Sequence, residues 1–202
     1  MSIDSYDTFL IDLDDTLYDE KLYLFKAYDQ ISIFLSNRQN IEPELISGFL
    51  KETFQKEGRT NLFDKLIHTF KMEHTLMDEL LDVMRTINLK NKIQLFPEAY
   101  VLLAQLNERN KKTIIVTNGN ITQQENKLKN IDWRGLRNSI EVIYAKNFGS
   151  KPNCSVFDFA CTKFNLTNQK ILMIGDSTVD REFAKNSSID FIHREEVFEW
   201  VK

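Results

Sequence analysis

The run Phe9-Leu10-Ile11 leads directly into Asp12-Leu13-Asp14-Asp15-Thr16, and this junction limits the fold more than any other stretch of the chain. The apolar run reads as a buried strand. It ends in two acidic residues one position apart, with a hydroxyl residue two positions beyond the second. Carboxylates are rarely buried unless paired or bound to a metal, so a strand that ends in them is not built for stability alone. In an open α/β sheet, ligands bind just beyond the carboxyl ends of the strands, and Asp12 and Asp14 fall there. Taken alone, the stretch is also compatible with a plain polar turn after a strand.

The rest of the chain narrows the choice. Residues 7–12 form the first expected strand. From Tyr18 to Asn88 apolar residues recur at helical spacing and no strand is expected. Four amphipathic segments follow one another, carrying Leu22, Phe25, Ile31, Phe34 and Leu35, then Leu45, Ile46, Phe49, Leu50 and Phe54, then Leu62 to Phe70, then Leu76 to Ile87. They predict a helical bundle inserted after the first strand, its aromatic residues forming the bundle core. After Lys92 strands and helices alternate. Thr113–Thr117 and Ile171–Ile174 read as buried parallel strands, Ile140–Tyr144 as a third, Ile189–Ile192 as a last short one, and Glu195–Trp200 as a terminal helix. Pro43, Pro97 and Pro152 each precede an apolar periodic stretch and are read as helix starts. This alternation predicts an α/β fold, a parallel sheet with helices on both faces.

Composition excludes several function classes. A net charge of −4 gives no basic footprint for a nucleic acid polymer, and no apolar run approaches a membrane span. The N-terminal residues lack the basic start and apolar core of a signal peptide, so a cytoplasmic location is expected. The two cysteines, Cys154 and Cys161, are too far apart on one helix for a disulfide, and the three histidines form no metal spacing with them. Both cysteines are read as reduced core residues.

Three expected strands end in polar clusters: Asp12/Asp14, Thr117/Asn118 and Asp176/Asp180. A parallel sheet brings these ends to one edge, and Lys151 precedes an expected helix nearby. Carboxylates, a hydroxyl, an amide and a cation together are what phosphoryl transfer through an aspartyl-phosphate requires. Asp12 can serve as nucleophile. Asp14 can protonate the leaving alkoxide and later accept a proton from water. Asp12, a backbone carbonyl near Asp14, and Asp176 can supply the hard oxygen ligands of Mg2+. Thr117 and Asn118 can donate to phosphate oxygens, and Lys151 can balance charge on the intermediate.

In these motifs the sequence resembles the haloacid dehalogenase superfamily. The family's Asp-x-Asp-x-Thr stands as Asp12-Leu13-Asp14-Asp15-Thr16, its strand-end Thr or Ser as Thr117, its lysine as Lys151-Pro152, and its acidic motif as Gly175-Asp176 with Asp180. The resemblance implies a Rossmann-like sheet with the first strand at its centre, made of residues 1–17 and 91–202, and a helical cap made of residues 18–90. It places Thr16 and Asp180 behind the groups that touch metal and substrate. Two positions depart from the pattern: Asp15 stands where many members have Gly, and Ser187-Ser188 where a Gly is usual.

The dehalogenases of the family lack the second acidic residue, so the presence of Asp14 favours phosphomonoester hydrolysis. A sugar-phosphate mutase keeps both aspartates and remains an alternative, as does a non-enzymatic binding protein that retains the fold. A helical cap suggests a small soluble phosphomonoester. Thr117-Asn118-Gly119 followed by Gln124 and Lys127-Leu128 looks like members acting on nucleoside monophosphates or N-acylneuraminate 9-phosphate, although Gln124 and Leu128 could equally serve to seat a helix. The oligomeric state is not legible.

Overall fold

The computed structural model describes residues 2–201. The chain separates into two compact units. One contains the chain up to Glu20, Lys92–Gln124 and the chain from Ile131 onward, and the other contains Lys21–Asn91 and Glu125–Asn130.

The first unit is built on strands β1 (Thr8–Ile11), β3 (Lys112–Thr117), β5 (Ile140–Tyr144), β6 (Ile171–Gly175) and β7 (Asp190–His193), with a separate parallel pair, β2 (Ile93–Gln94) and β4 (Ile131–Asp132). The five long strands form one sheet in the order β5-β3-β1-β6-β7, and every neighbouring pair is parallel. All four residues of β1 are buried, as expected for a parallel strand covered on both faces. Side chains alternate across the pleat. Leu10, Ile114, Val116 and Met173 form one core cluster with Val156 and Phe183, residues that belong to α7 (Ser155–Phe164) and α8 (Thr178–Asn186). Helix α5 (Pro97–Glu108) packs on β3 and buries Leu102 and Leu106. The fold is thus a Rossmann-type α/β sheet flanked by helices.

Strand order places the functional edge. From β1 the chain builds outward to β3 and β5, then crosses back to lay β6 and β7 on the other side. That reversal makes β1 a topological switch point, where an open α/β sheet leaves a crevice at the strand carboxyl ends. The register aligns those ends: Ile11 pairs with both Ile115 and Ile174. The strand expected over residues 7–12 ends at Ile11 in the sheet pairing, but the Asp12 amide still donates to the Ile174 carbonyl at 2.9 Å, which extends the ladder to the first acidic residue.

The helical unit contains most of α1 (Glu20–Gln39), with α2 (Pro43–Glu57), α3 (Leu62–Thr69) and α4 (Met77–Arg85). The last residues of α6 (Ile121–Asn130) cluster with it. Leu24, Ala27, Tyr28, Ile31 and Leu35 form the buried stripe of α1. Phe25 and Tyr28 meet Phe54 at ring centroid distances of 5.9 and 6.1 Å in edge-to-face geometry, a favourable aromatic arrangement.

Several sequence expectations need correction. Leu22 and Leu45, counted into buried stripes, are 44% and 61% exposed. At 100° per residue they stand off the faces that carry Leu24–Ile31 and Ile46–Leu50. Pro43 and Pro97 open helices, but Pro152 does not. It follows a cis peptide bond, and α7 starts only at Ser155. Cys154 precedes that helix and is exposed, so it is not a core residue, whereas Cys161 is half-buried and packs against the core cluster. The short β2–β4 pair has no counterpart among the expected strands, because two-residue strands show no periodicity. The last strand lies one residue later than expected, at Asp190–His193.

Candidate active site

Asp12 is buried at the end of β1, and its Oδ1 accepts a hydrogen bond from Lys151 Nζ at 2.6 Å. The same ammonium donates to Asp180 Oδ1, also at 2.6 Å. The lysine side chain is 2% exposed and its partners 12% and 2%. Buried charges persist only when paired, and one cation bridging two carboxylates satisfies both.

Local sequence explains how each partner is held. Asp180 belongs to a capping box at the start of α8: Ser177 Oγ donates to Asp180 Oδ2 at 2.6 Å and accepts from the Asp180 amide at 3.3 Å, while the Ser177 amide donates to Oδ2. This reciprocal pattern satisfies otherwise orphaned donors at the first turn. Gly175 makes room for it, because a Cβ there would lie 2.5 Å from Asp180 Cβ and Cγ. Lys151 sits in an irregular turn after Gly149 (φ +100°) and Ser150 (φ 61°). Asn118, at the end of β3, grips that turn from across the sheet edge. Its Oδ1 accepts from the Lys151 amide at 2.8 Å and its Nδ2 donates to the Lys151 carbonyl at 2.9 Å. The Asn118 side chain, expected from sequence to face phosphate, is thus committed to the lysine backbone. Thr117 is buried beside it, its Oγ1 donating to the Asn118 carbonyl at 3.3 Å.

Asp14 is half-buried. Tyr18 Oη donates to its Oδ1 at 2.6 Å, and Gln124 Nε2 to its Oδ2 at 2.9 Å. Asp15 adopts φ 54°, a left-handed conformation that Asp tolerates better than most residues. Here it replaces Gly, and its Oδ1 accepts from the Glu20 amide at 3.0 Å at the start of α1. Ser188, the other departure from the family pattern, likewise takes φ 55°. Asp176 follows β6. Thr16 Oγ1 lies 3.2 Å from Asp176 Oδ1 and 3.4 Å from Asp12 Oδ2. His193 Nδ1 accepts from the Glu195 amide, so Nε2 carries the proton and donates to the Asp176 carbonyl at 3.1 Å.

The electrostatics follow from this geometry. Burial pushes the Asp12 carboxyl up from the usual carboxylate range to about 7. Lys151 opposes the rise, and Asp180 and Asp14 add to it. Burial alone would lower Lys151, but Asp12 and Asp180 outweigh it and hold the ammonium above its ordinary value. Asp176 is also raised, first by burial and then by Asp180 and Asp15. Carboxylate oxygens of Asp12, Asp176 and Asp180 lie within 4.8 Å of one another. Three crowded carboxylates, two of them pushed toward protonation, form an all-oxygen donor set of the kind that suits a hard divalent cation. Asp180 is already engaged by Lys151 and Ser177, which leaves Asp12 and Asp176 as the side chains freer to ligate. Asp14 stands outside this cluster.

Ser177 and His193 join the site without a role expected from the sequence, and Tyr18 stands out there only by its nearness to Asp14 along the chain. Ser177-x-x-Asp180 has capping-box spacing and was legible in principle. The spacing of Tyr18 and Asp14 offers no comparable signal, and no local signal could have found His193.

The family model for haloacid dehalogenase-like hydrolases matches residues 6–187. The chain belongs to this family of hydrolases. No curated protein matches it. Among solved structures, a candidate β-phosphoglucomutase from Thermotoga maritima is 14% identical, with a TM-score of 0.64 over 96% of this chain and 97% of that one. A haloacid dehalogenase-type phosphatase from Thermococcus onnurineus is 23% identical, with a TM-score of 0.58 over 92% and 84%. YfnB from Bacillus subtilis, a candidate hydrolase of the same type solved with magnesium, is 22% identical, with a TM-score of 0.59 over 92% and 87%. These likenesses concern the fold. Among the described residues, no helix is long and apolar enough to cross a membrane.

Proposed function

We propose that this chain is a Mg2+-dependent phosphatase that hydrolyses a small soluble phosphomonoester through an aspartyl-phosphate on Asp12. The observation that carries this reading is the division of labour between two carboxylates. Asp12 is buried against Lys151, whereas Asp14 is half-buried and accepts hydrogen bonds from Tyr18 and Gln124. A nucleophile beside a cation and a second carboxyl oriented through both its oxygens are the two roles the reaction needs.

Asp12 attacks phosphorus through the oxygen that Lys151 does not engage. Asp14 gives its proton to the departing alkoxide, then takes one from the water that opens the acyl-phosphate. Lys151 offsets the charge gathered on the phosphorylated intermediate. Thr117 and the backbone amide of Asn118 bind phosphate oxygens, while the Asn118 side chain keeps the lysine in place. Asp12, Asp176 and the backbone carbonyl of Asp14 would hold the cation, with Thr16 and Asp180 supporting them. Bound there, Mg2+ screens the anionic nucleophile from the anionic ester.

Residues 18–90 are the cap domain of this reading, which suits a small ester. A nucleoside monophosphate or an acylneuraminate-type sugar phosphate is the substrate class proposed, with a cytoplasmic location. The test is phosphate release from p-nitrophenyl phosphate, nucleoside monophosphates and sugar phosphates, with and without Mg2+, with Asp12→Asn as control. Mg2+-dependent release that is lost in the variant supports the reading. Conversion of a sugar phosphate to its isomer without net release would replace it with a mutase.

A further inference from the structure

We propose that Tyr18 and Gln124 are positioning residues for Asp14, together fixing the carboxyl that donates the proton to the leaving group. This rests on the phosphatase reading and deepens it. The two side chains approach Asp14 from different directions, Tyr18 Oη onto Oδ1 at 2.6 Å and Gln124 Nε2 onto Oδ2 at 2.9 Å. A carboxyl held through both oxygens cannot rotate about its terminal bond without losing a hydrogen bond. General acid catalysis depends on that orientation, because the proton must lie within hydrogen-bond reach of the departing oxygen.

The orientation of the Gln124 amide is dictated by chemistry. Its Nε2 also donates to the Asn118 carbonyl, so both neighbours on that side are acceptors and the reversed amide would face oxygen with oxygen. The cost falls at the other end: Gln124 is 4% exposed, and its Oε1 is buried with no hydrogen-bond partner. A buried acceptor without a partner lowers stability. An amide kept at that cost is a poor choice for seating a helix, which an apolar side chain would do better. Gly119, at φ +107°, leaves the space: a Cβ there would stand 3.1 Å from Gln124 Nε2. Tyr18 is itself fully buried, so its hydroxyl is held where Asp14 needs it.

The test is the dependence of kcat/KM on leaving group, because kcat/KM reports the step in which the ester oxygen departs. The probes are 4-nitrophenyl, phenyl and 4-methoxyphenyl phosphate, nearly alike in size and different in how far their oxygen needs a proton. Tyr18→Phe and Gln124→Leu should each lose about 10- to 100-fold on phenyl and 4-methoxyphenyl phosphate, part of the 10²–10⁴ that general acid catalysis supplies. Each should lose less than about 3-fold on 4-nitrophenyl phosphate, whose oxygen departs with little help. In an Asp14→Ala background neither change should cost anything further, since groups acting through one carboxyl are not additive. Equal losses across the three esters, or full losses persisting in the Asp14→Ala background, overturn the positioning role while leaving the phosphatase intact. A wild-type protein inactive on every ester overturns the phosphatase reading and the positioning role with it. Tyr18→Phe removes one oxygen only, and it decides the matter should Gln124→Leu fail to fold.

Discussion

Replacing Lys151 by Met tests the electrostatic core of the site without reference to any substrate. The lysine side chain is 2% exposed and bridges two carboxylates at 2.6 Å each. Met keeps the aliphatic stem and removes the charge, which leaves Asp12 and Asp180 facing each other in a cluster within 4.8 Å. Removing one partner of a buried ion pair costs about 3–5 kcal/mol. For a chain of this size each kcal/mol shifts the melting temperature by about 2–4 °C, so a loss of about 6–20 °C is expected at pH 7.5 in chelator-treated protein. Both tryptophans, Trp133 and Trp200, lie in the sheet-bearing unit. Fluorescence therefore reports the unit that holds Lys151, and a two-unit chain need not unfold in one step. The pH dependence has a definite sign. Asp12 rises from 3.8 to about 7 on folding, so the folded state holds its proton more tightly than the unfolded chain does. The stability linked to that proton is fully present below pH 3.8 and is lost as pH rises through about 7. Without the lysine this loss deepens, so the deficit of Lys151→Met should shrink steadily from pH 7.5 to pH 5. Adding Asp12→Asn and Asp180→Asn to the variant should restore much of the stability at pH 7.5. A deficit under about 1 kcal/mol at pH 7.5, well below the range for a broken buried pair, or one that grows on acidification, would refute the reasoning.

Three further outcomes are expected. Gly175→Ala puts a Cβ 2.5 Å from Asp180 Cβ and Cγ; it should destabilise the fold by about 1–3 kcal/mol in urea melts and depress phosphate release by displacing the Asp180–Lys151 pair. Tyr6 donates to Asp190 Oδ2 at 2.8 Å, and burial with that carboxylate raises its phenol to about 12. Tyr6→Phe should cost about 1–2 kcal/mol at pH 7, and the gap from wild type should close as pH rises from 10 through about 12, where the wild-type phenol ionises; an unchanged gap at high pH would contradict the hydrogen bond as its source. Asp176→Ala should raise the Mg2+ concentration needed for half-maximal phosphate release by at least about tenfold, in proportion to the loss of one carboxylate ligand, and an unaltered Mg2+ dependence would remove Asp176 from the ligand set.

Much of the candidate site edge is legible in the amino-acid sequence. Phe9-Leu10-Ile11, Ile114-Ile115-Val116 and Ile171-Leu172-Met173-Ile174 are apolar because parallel strands buried on both faces have no polar face to show. Each ends in the groups its strand carries to the crevice. Asp15 and Ser188 are recognisable as departures from glycine, and the backbone shows that both still adopt positive φ. Pro152 misleads because proline marks a helix start only where the backbone is already turning into a helix. At Lys151 it follows a cis bond in a turn that Asn118 holds instead.

By itself, the order of residues determined the long strands, most of the helices, and which carboxylates stand at strand ends. Those features are local, since they depend on periodicity and on backbone preference over a few residues. Only the tertiary structure decided who faces whom. Asp12 meets Lys151 across 139 positions of sequence, Asp14 meets Gln124 across 110, and Asn118 meets the Lys151 backbone across 33. These pairings follow from the strand order and the parallel register, which bring distant strand ends to one edge. Neither order nor register leaves a signature in the spacing of the residues concerned.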